Sequence, residues 1–322
     1  MTPKRKIVIS DSTSPYENLA IEKHLTANLG EDEIVLFLWR NADTVVIGRN
    51  QNCWRECKVS EILANGGRIA RRLSGGGAVY HDAGNLNFSF IYPDGKWTVA
   101  DGLSIIALAC RNHGIDASVS GRNDILTNGA KFSGNAFFSL NGNNGQKNHC
   151  HHGCILISTD TSRMELFLNV SKAKLESKGV RSVRSRVVNL KSLAPHLTPD
   201  LLSESLSDAF GGEVFPVPDS NEIKTDAEHL ASDEWIFGRQ IDFTDSFGAR
   251  FPWGEITLNF KVSAGTVTEC KIYSDSMDEH ISTSLESDFV GKQFLATALG
   301  DSITVSDATV KNDICGLLLE NI

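Results

Sequence analysis

The sequence predicts an α+β protein in which helices surround a mixed β-sheet. Strand-like runs of alternating apolar residues, such as 34–40, 44–49 and 85–91, are separated by helical segments at irregular intervals. This order lacks the regular strand and helix alternation of a doubly wound parallel sheet. The length of 322 residues, with 41% hydrophobic and 22% charged residues, is typical of a folded chain of one large or two ordinary domains.

Helix signals recur between these strands. Ser14 and Glu17 are spaced as a capping box, Pro15 occupies the first helical position, and Gly30 ends the first helix. Predicted helices cover residues 15–29, 101–113, 162–169 and 199–210.

Two breaks divide the chain. A loop over residues 211–221 and a second break near Phe247–Gly254 interrupt the pattern of strands and helices. Residues 255–273 then alternate as two strands around a glycine turn, and two helical segments follow. We therefore expect a larger domain over residues 1–245 and a smaller one over residues 250–322.

Composition disfavours several classes of partner. The balance of 31 basic against 40 acidic residues, a net charge of -9, argues against a basic face for nucleic acid. No stretch approaches the roughly 20 apolar residues of a membrane span, and the first apolar run is too short for a signal peptide. Seven unpatterned cysteines suit a reducing compartment. The expectation is a cytoplasmic protein without nucleic-acid or membrane partners.

A glycine segment over residues 71–82 carries the clearest chemical signal. It reads Arg71, Arg72, Leu73, Ser74, Gly75, Gly76, Gly77, Ala78, Val79, Tyr80, His81, Asp82. Successive glycines let backbone N–H groups approach a phosphate, and arginines supply charged donors. No Gly-Lys-Ser/Thr follows, so the segment is not a P-loop. The residues alone leave open a flexible glycine turn beside surface arginines.

A second signal is a lysine in a predicted hairpin. Residues 125–127 are strand-like, Asn128 and Gly129 form the turn, and Lys131 lies on the return strand. A buried lysine in this position requires an anion or a carboxylate beside it. The alternative is that Lys131 points to solvent from an edge strand.

Residues 149–154 place five potential metal ligands within six positions. Structural zinc sites recruit a second pair of ligands, and the sequence offers no partner pair, which disfavours zinc. On a strand, His152 and Cys154 would share one face and His151 would lie on the other.

A basic segment over residues 178–186 contains four cations. A solvated loop and a phosphate-facing loop are both compatible with it.

Together these segments resemble the lipoate–protein ligase A family. The glycine segment resembles the family's lipoate-binding loop, residues 121–134 its lysine hairpin, His151–Gly153 its following strand, and residues 178–189 its adenylate-binding loop. The similarity covers most of residues 7–191. It implies a mixed-sheet catalytic domain of the biotin protein ligase and class II synthetase type, with a small α/β accessory C-terminal domain.

The resemblance also implies an activity. Lipoate would react with ATP, with Mg²⁺ as co-substrate ion, to give lipoyl-AMP and pyrophosphate. The lipoyl group would then pass to a lysine of a lipoyl domain of an oxo-acid dehydrogenase complex or of a glycine cleavage H-type protein. No tightly bound structural metal is expected.

Site residues follow from the same resemblance. Lys131 is implied to be catalytic, bridging the lipoyl carbonyl and the phosphate. Asp124 is expected to hold Mg²⁺, because this ion prefers one or two carboxylates together with phosphate oxygens. The residues implied to bind lipoate and ATP are Arg71, Arg72, Ser74, Gly75, Gly76, Gly77, Ala78, Val79, Tyr80, His81, Asn85, Ser133, Gly134, His152 and Arg184.

Two other functions stay open at this point. One is an ATP-independent octanoyl or lipoyl acyltransferase that forms a thioester on Cys154, which requires an activated thiolate. The other is a non-enzymatic module that binds lipoate or a metal.

Overall fold

The computed structural model describes residues 3–120, 124–169, 187–238 and 243–322. Its strands are β1 (Lys4–Ile9), β2 (Glu33–Trp39), β3 (Thr44–Ile47), β4 (Arg68–Arg71), β5 (Val79–His81), β6 (Asn85–Pro93), β7 (Ser118–Ser120), β8 (Asp124–Thr127), β9 (Ala130–Asn141), β10 (Lys147–Leu156), β11 (Glu213–Phe215), β12 (Asp245–Phe251), β13 (Gly254–Ser263) and β14 (Thr266–Ser274).

An eight-stranded mixed sheet forms the larger part of the molecule, in the order β11-β1-β2-β6-β10-β9-β8-β7. Strand β1 pairs in parallel with β2 and β11, and the other pairs in this sheet are antiparallel. A small sheet, β4-β3-β5, stands beside it, and the glycine segment connects β4 to β5. The predicted α+β class with a mixed sheet is confirmed.

The α-helices are α1 (Pro15–Ala27), α2 (Cys53–Glu56), α3 (Val59–Ala64), α4 (Val99–Arg111), α5 (Thr161–Phe167), α6 (Pro199–Phe210), α7 (Asn221–Leu230), α8 (Asp233–Phe237), α9 (Ile281–Phe289), α10 (Ala296–Ser302) and α11 (Ala308–Asn321). The four predicted helices correspond to α1, α4, α5 and α6. No helix in the described ranges is both long and apolar enough to span a lipid bilayer.

Helices cover both faces of the large sheet. Phe88 and Phe90 on β6 face a core shared with α4 and α6. The intervening positions face the opposite side, where Ile91 packs with Leu19 of α1 and Ile223 of α7. Because successive strand residues alternate between faces, the polar residues of β6 lie on the α1 side.

Strands β12, β13 and β14 form a separate antiparallel sheet that packs with α9, α10 and α11 around its own core. The break predicted near Phe247–Gly254 is narrower than expected, because residues 245–251 pair with β13 as β12 and the turn consists of Pro252 and Trp253. A Cβ on Gly248 of β12 would overlap the carbonyl oxygen of Ile256 on β13. The glycine thus permits strand pairing.

Candidate active site

A cavity of about 250 Å³ lies on the α1 side of the large sheet. Predicted site residues that line it are Arg72, Gly76, Gly77, Ala78, Val79, His81, Asp124, Lys131, Gly134 and His152. The other lining residues are Leu19, Trp39, Val46, Asn87, Asn135, Ala136, Gly153, Cys154, Arg250, Pro252, Trp253, Gly254, Asp275 and Met277. The cavity therefore combines residues from the eight-stranded sheet, from the small β4-β3-β5 sheet and from residues 243–322, which we call the C-terminal segment.

Strand register builds one wall of the cavity. Trp39, Asn87, Cys154 and Gly134 lie opposite one another on β2, β6, β10 and β9, and all four line the cavity. We call this set the cross-strand row. His152 lies two positions along β10, so its side chain projects from the same face. The predicted sharing of a face by His152 and Cys154 agrees with this arrangement.

Lys131 lies over the end of the cross-strand row. Its Nζ is 2.7 Å from Asp124 Oδ1, and both side chains are largely buried. A Cβ on Gly134 would lie 2.8 Å from Lys131 Nζ, which places the amine directly over this glycine. The alternative that Lys131 points to solvent is wrong. Its counter-charge is Asp124, the residue expected to hold Mg²⁺.

His152 joins helix α1 to the glycine segment through hydrogen bonds. Its Nδ1 lies 2.8 Å from Glu22 Oε1, and its Nε2 lies 2.6 Å from Ser74 Oγ. Ser89 Oγ donates to the same Glu22 oxygen at 2.5 Å. Glu22 and Ser74 are fully buried. These contacts explain how a carboxylate is tolerated in the interior, because buried charge requires hydrogen-bonded partners.

The same cluster offers potential metal ligands. Single atoms of Glu22, Cys150 and His152 lie within 4.8 Å of one another. His152 and Glu22 are already hydrogen-bonded to each other, and burial raises the pKa of the Cys150 thiol well above its ordinary value. Hydrogen bonding therefore satisfies Glu22 Oε1, whereas the buried Glu22 Oε2 has no hydrogen-bond partner within the described residues.

Arg72 organises the backbone of the glycine segment. Its Nη2 donates to the carbonyl oxygens of Gly75 and Gly77 at 2.7 and 2.8 Å, and its Nε donates to Ser74 Oγ at 2.9 Å. Complete burial lowers the pKa of its guanidinium to about 10. The guanidinium of Arg72 thus holds the glycine segment in its conformation through these hydrogen bonds.

Arg71 is also committed to backbone. It donates to the carbonyl oxygens of Gly48, Arg49, Gln51 and Ile236, with its Nε also contacting that of Trp235. Arg71 does not line the cavity, and its contact with a ligand stays a prediction. The alternative of surface arginines is wrong, since both arginines are buried.

Gly75 and Gly76, together with Gly48, allow backbone segments to approach closely. Gly76 has φ +88° and its N–H donates to the carbonyl oxygen of Ser276 at 2.7 Å. A Cβ on Gly75 would overlap that same oxygen, and a Cβ on Gly48 would overlap the carbonyl oxygen of Gly76. The sequence predicted that backbone N–H groups here approach a phosphate. In this structure the N–H of Gly76 instead donates to the backbone of the C-terminal segment.

His81 contributes a neutral imidazole to the cavity. Burial, with Arg72 and His152 nearby, lowers its pKa to about 3. Asn41 Nδ2 lies 3.2 Å from its Nδ1, and an amide N–H donates, so Nδ1 accepts. The remaining Nε2 carries the proton of the neutral ring.

Several predicted site residues do not line the cavity. Tyr80 turns away from it, donates to Asp43 Oδ1 at 2.5 Å and packs edge-on against Phe167. Ser74, Asn85 and Ser133 are buried behind the lining, and Gly75 packs against the C-terminal segment. Arg184 and the basic segment 178–186 lie outside the described residues, as do residues 121–123.

Cys154 is buried and protonated. Burial is the largest influence on its thiol and raises the pKa, and Lys131 and Arg72 offset this only in part. A thiol in this state is a poor nucleophile, because the thiolate is the reactive form.

Sequence reasoning missed the residues that reach the cavity through distant packing. Trp253 and Met277 belong to the C-terminal segment, and nothing local signals that they meet the glycine segment. Asn87 could have been found, because Asn85, Asn87 and Ser89 alternate with buried aromatic residues and mark a polar face of β6.

Comparison with known proteins adds independent information. Residues 14–211 match the family described as the lipoyl protein ligase A/B catalytic domain, and residues 240–315 match the bacterial lipoate protein ligase C-terminus. The chain is 33% identical to a lipoate-protein ligase A of Blochmanniella floridana over 314 residues, covering 93% of this chain and 91% of that protein.

Solved structures are similar along most of the chain. The structure of P. falciparum LipL1 in complex with lipoate is 26% identical, with a TM-score of 0.86 over 98% of this chain and 99% of that one. A lipoate-protein ligase A bound with ATP is 22% identical, with a TM-score of 0.58 over 74% of this chain and 99% of that one. A bipartite ligase of Thermoplasma acidophilum, described with its E2 lipoyl domain, is 23% identical, with a TM-score of 0.60 over 76% of this chain and 100% of that one.

Proposed function

This chain belongs to the lipoate–protein ligase A family, and from that premise we propose that it activates lipoate with ATP and transfers the lipoyl group to a lysine of an acceptor protein. Relatives described with lipoate and with ATP support both substrates. The single observation that carries the proposal is the Lys131 ammonium, which faces the cavity over Gly134 beside the glycine segment.

The cavity suits an acid with an apolar tail. Leu19, Trp39 and Val46 give part of its lining an apolar surface, which would take the hydrocarbon chain and ring of lipoate. Lys131 supplies a cation for the carboxylate. A substrate bound this way has its reactive end at the row formed by Asn87, Cys154 and Gly134.

In the first step a carboxylate oxygen of lipoate attacks the α-phosphorus of ATP. The bond from that phosphorus to the β-phosphate oxygen breaks, pyrophosphate leaves, and lipoyl-AMP forms. The enzyme's contribution is alignment and neutralisation of charge on the phosphate oxygens. Lys131 performs both tasks, since its ammonium can contact carboxylate and phosphate oxygens together.

Mg²⁺ accompanies ATP in this proposal. Asp124 offers the oxygen ligands that Mg²⁺ prefers, and it lines the cavity beside Lys131. Bound there, the ion would neutralise phosphate charge. Asp124 would then exchange part of its contact with Lys131 for the ion.

In the second step the amine of the acceptor lysine attacks the acyl carbon. The carbon–oxygen bond to AMP breaks, AMP leaves with the electron pair, the amine loses a proton to solvent, and an amide forms. The Lys131 ammonium stabilises the oxyanion that develops on the acyl oxygen. No nucleophilic residue of the enzyme takes part.

The two parts of the chain divide the work. We assign both chemical steps to residues 1–245 and an accessory role to residues 250–322. Trp253 and Met277 in the cavity lining support a contribution of the second part to enclosing the reactive intermediate.

The acceptor is a lipoyl domain, of an oxo-acid dehydrogenase complex or of a glycine cleavage H-type protein, and the compartment is the cytoplasm.

The test is lipoate-dependent release of pyrophosphate from Mg-ATP by the purified protein without any acceptor. Lys131→Ala should abolish release while the protein stays folded, which a cooperative thermal unfolding transition checks. Lys147→Ala is the matched control, because Lys147 is an exposed lysine on β10. If the wild-type protein releases no pyrophosphate, the proposal is wrong. The thioester acyltransferase and the binding module would then be the functions to test.

A further inference from the structure

Asn87 is a buried polar residue of the cavity that no step above uses. Only 1% of its surface is exposed, and it lines the cavity between Trp39 and Cys154 in the cross-strand row. Within the part of the chain that the structure describes, its Nδ2 has no hydrogen-bond partner. A buried donor without a partner is unusual in folded proteins and marks a place where a ligand acceptor fits.

The orientation of this amide is fixed by its neighbours. The backbone N–H of Asp82 donates to Asn85 Oδ1 at 2.8 Å, and a backbone N–H can only donate. Asn85 Nδ2 must therefore be the atom that faces Asn87, and it donates to Asn87 Oδ1 at 3.0 Å. Asn87 consequently keeps its oxygen toward Asn85 and its N–H groups free for the cavity.

The position of Asn87 indicates which ligand atom it meets. Lys131 Nζ lies over Gly134, and Gly134 and Asn87 are the neighbours of Cys154 on its two sides. Adjacent strands are about 4.8 Å apart, so the two side chains approach the space above Cys154 from opposite sides. A carboxyl group held by Lys131 in that space presents its second oxygen to Asn87.

We propose that Asn87 Nδ2 donates a hydrogen bond to the acyl oxygen of bound lipoate and of lipoyl-AMP, an inference that rests on the proposed function. When the acceptor amine attacks, the carbon–nitrogen bond forms and negative charge develops on that oxygen. Asn87 and Lys131 together stabilise this charge until the bond to AMP breaks. Asn87 is thereby a catalytic residue, chiefly of the transfer step.

Charge development separates the two steps. In the first step the acyl oxygen loses negative charge as its partner oxygen bonds to phosphorus, whereas in the transfer step it gains charge. A donor at this position therefore assists transfer more than activation. A residue that only supports Asn85 would affect both steps through the fold.

Two variants delete the donor differently. Asn87→Leu is similar in shape and replaces the amide by an apolar group, whereas Asn87→Ala truncates the side chain without adding bulk or charge. Asn148→Ala serves as the control, because Asn148 is a fully buried asparagine of the same sheet that bonds the carbonyl oxygen of Thr26 and lies outside the cavity lining.

The experiment measures the two steps in single turnovers. One assay follows pyrophosphate release from lipoate and Mg-ATP, and the other follows transfer from preformed lipoyl-AMP to an E2 lipoyl domain. Both Asn87 variants should slow transfer by roughly 10²-fold, with a smaller effect on pyrophosphate release. Asn148→Ala should lower the melting temperature without changing the ratio of the two rates.

The outcomes are distinguishable. Transfer at the wild-type rate, or equal slowing of both steps, in the folded variants overturns the role of Asn87 while leaving the ligase activity intact. If Asn87→Leu does not fold, Asn87→Ala decides by the same two rates. A wild-type protein that releases no pyrophosphate overturns the proposed function, and the inference falls with it.

Discussion

The imidazole of His152 lies 2.8 Å from the carboxylate of Glu22, with both residues buried between helix α1 and the large sheet. Because Ser74 contacts the other nitrogen of the ring, this pair connects α1 to the glycine segment that lines the cavity. The position of the glycine segment is thus coupled to a buried carboxylate more than fifty residues away in sequence.

Loss of the Glu22 carboxylate should destabilise the protein and disturb the site together. Glu22→Ala leaves His152 and Ser89 without their shared hydrogen-bond partner, and each buried polar group left unsatisfied costs about 1–3 kcal/mol. We expect that loss in the free energy of unfolding by urea denaturation, with weaker lipoate binding. Lys23→Ala is the control, since its ion pair with Asp226 is partly exposed and such pairs contribute about 1 kcal/mol or less. Equal losses in the two variants would contradict the coupling.

His151 should make the protein less stable in acid. Its ring packs against Phe88 and Phe90, and burial lowers its pKa to about 3 from the ordinary value of 6.5. The unfolded chain then binds a proton that the folded one does not, so stability present above pH 6.5 is lost as pH falls toward 3. At pH 5 the loss is about 2 kcal/mol.

Removal of this imidazole tests the effect. Neither His151 nitrogen has a hydrogen-bond partner within the described ranges, so His151→Leu deletes no bond that the structure records. We expect unfolding free energies near wild type at pH 7.5 and about 2 kcal/mol less acid-induced loss at pH 5. His149→Leu is the control, because that ring is partly exposed and bonds Asp94. An unchanged pH dependence in His151→Leu would contradict burial of the neutral ring.

The sequence allowed much of the fold and part of the site to be predicted. Helix-start and helix-end signals in the sequence predicted α1 and α6. The hairpin pattern around Asn128 and Gly129 drew attention to Lys131. Helix α7 was missed because only Ile223 and Leu230 of its residues are buried, so its apolar stripe is narrow. The sequence near Arg72 does not reveal that its guanidinium donates to backbone carbonyl oxygens, because this depends on how the glycine segment folds around the side chain.

Cys154 should be dispensable for catalysis. Its thiol is kept protonated by burial, and the proposed mechanism forms no thioester. Cys154→Ala should retain ATP-dependent lipoyl transfer within several-fold of wild type, measured as lipoylation of an E2 lipoyl domain. Loss of transfer to the level of Lys131→Ala, or transfer from an acyl carrier without ATP, would instead support the acyltransferase.

Gly75 should be irreplaceable because of the backbone it faces. A Cβ there would overlap the carbonyl oxygen of Ser276 and crowd the backbone of Met277, and neither can move aside as a flexible side chain does. Gly75→Ala must therefore separate the glycine segment from the C-terminal segment. Since both segments line the cavity, pyrophosphate release should fall by at least 10-fold, and the melting temperature should drop.

Gly316→Ala is the matched control for this glycine. It lies within helix α11, where a Cβ meets no atom within 4 Å, so alanine should raise stability by about 0.5–1 kcal/mol through helix propensity. Its rate of pyrophosphate release should equal wild type. If Gly75→Ala also keeps wild-type activity and stability, then the contact between Gly75 and Ser276 is not needed to position the glycine segment in the cavity wall.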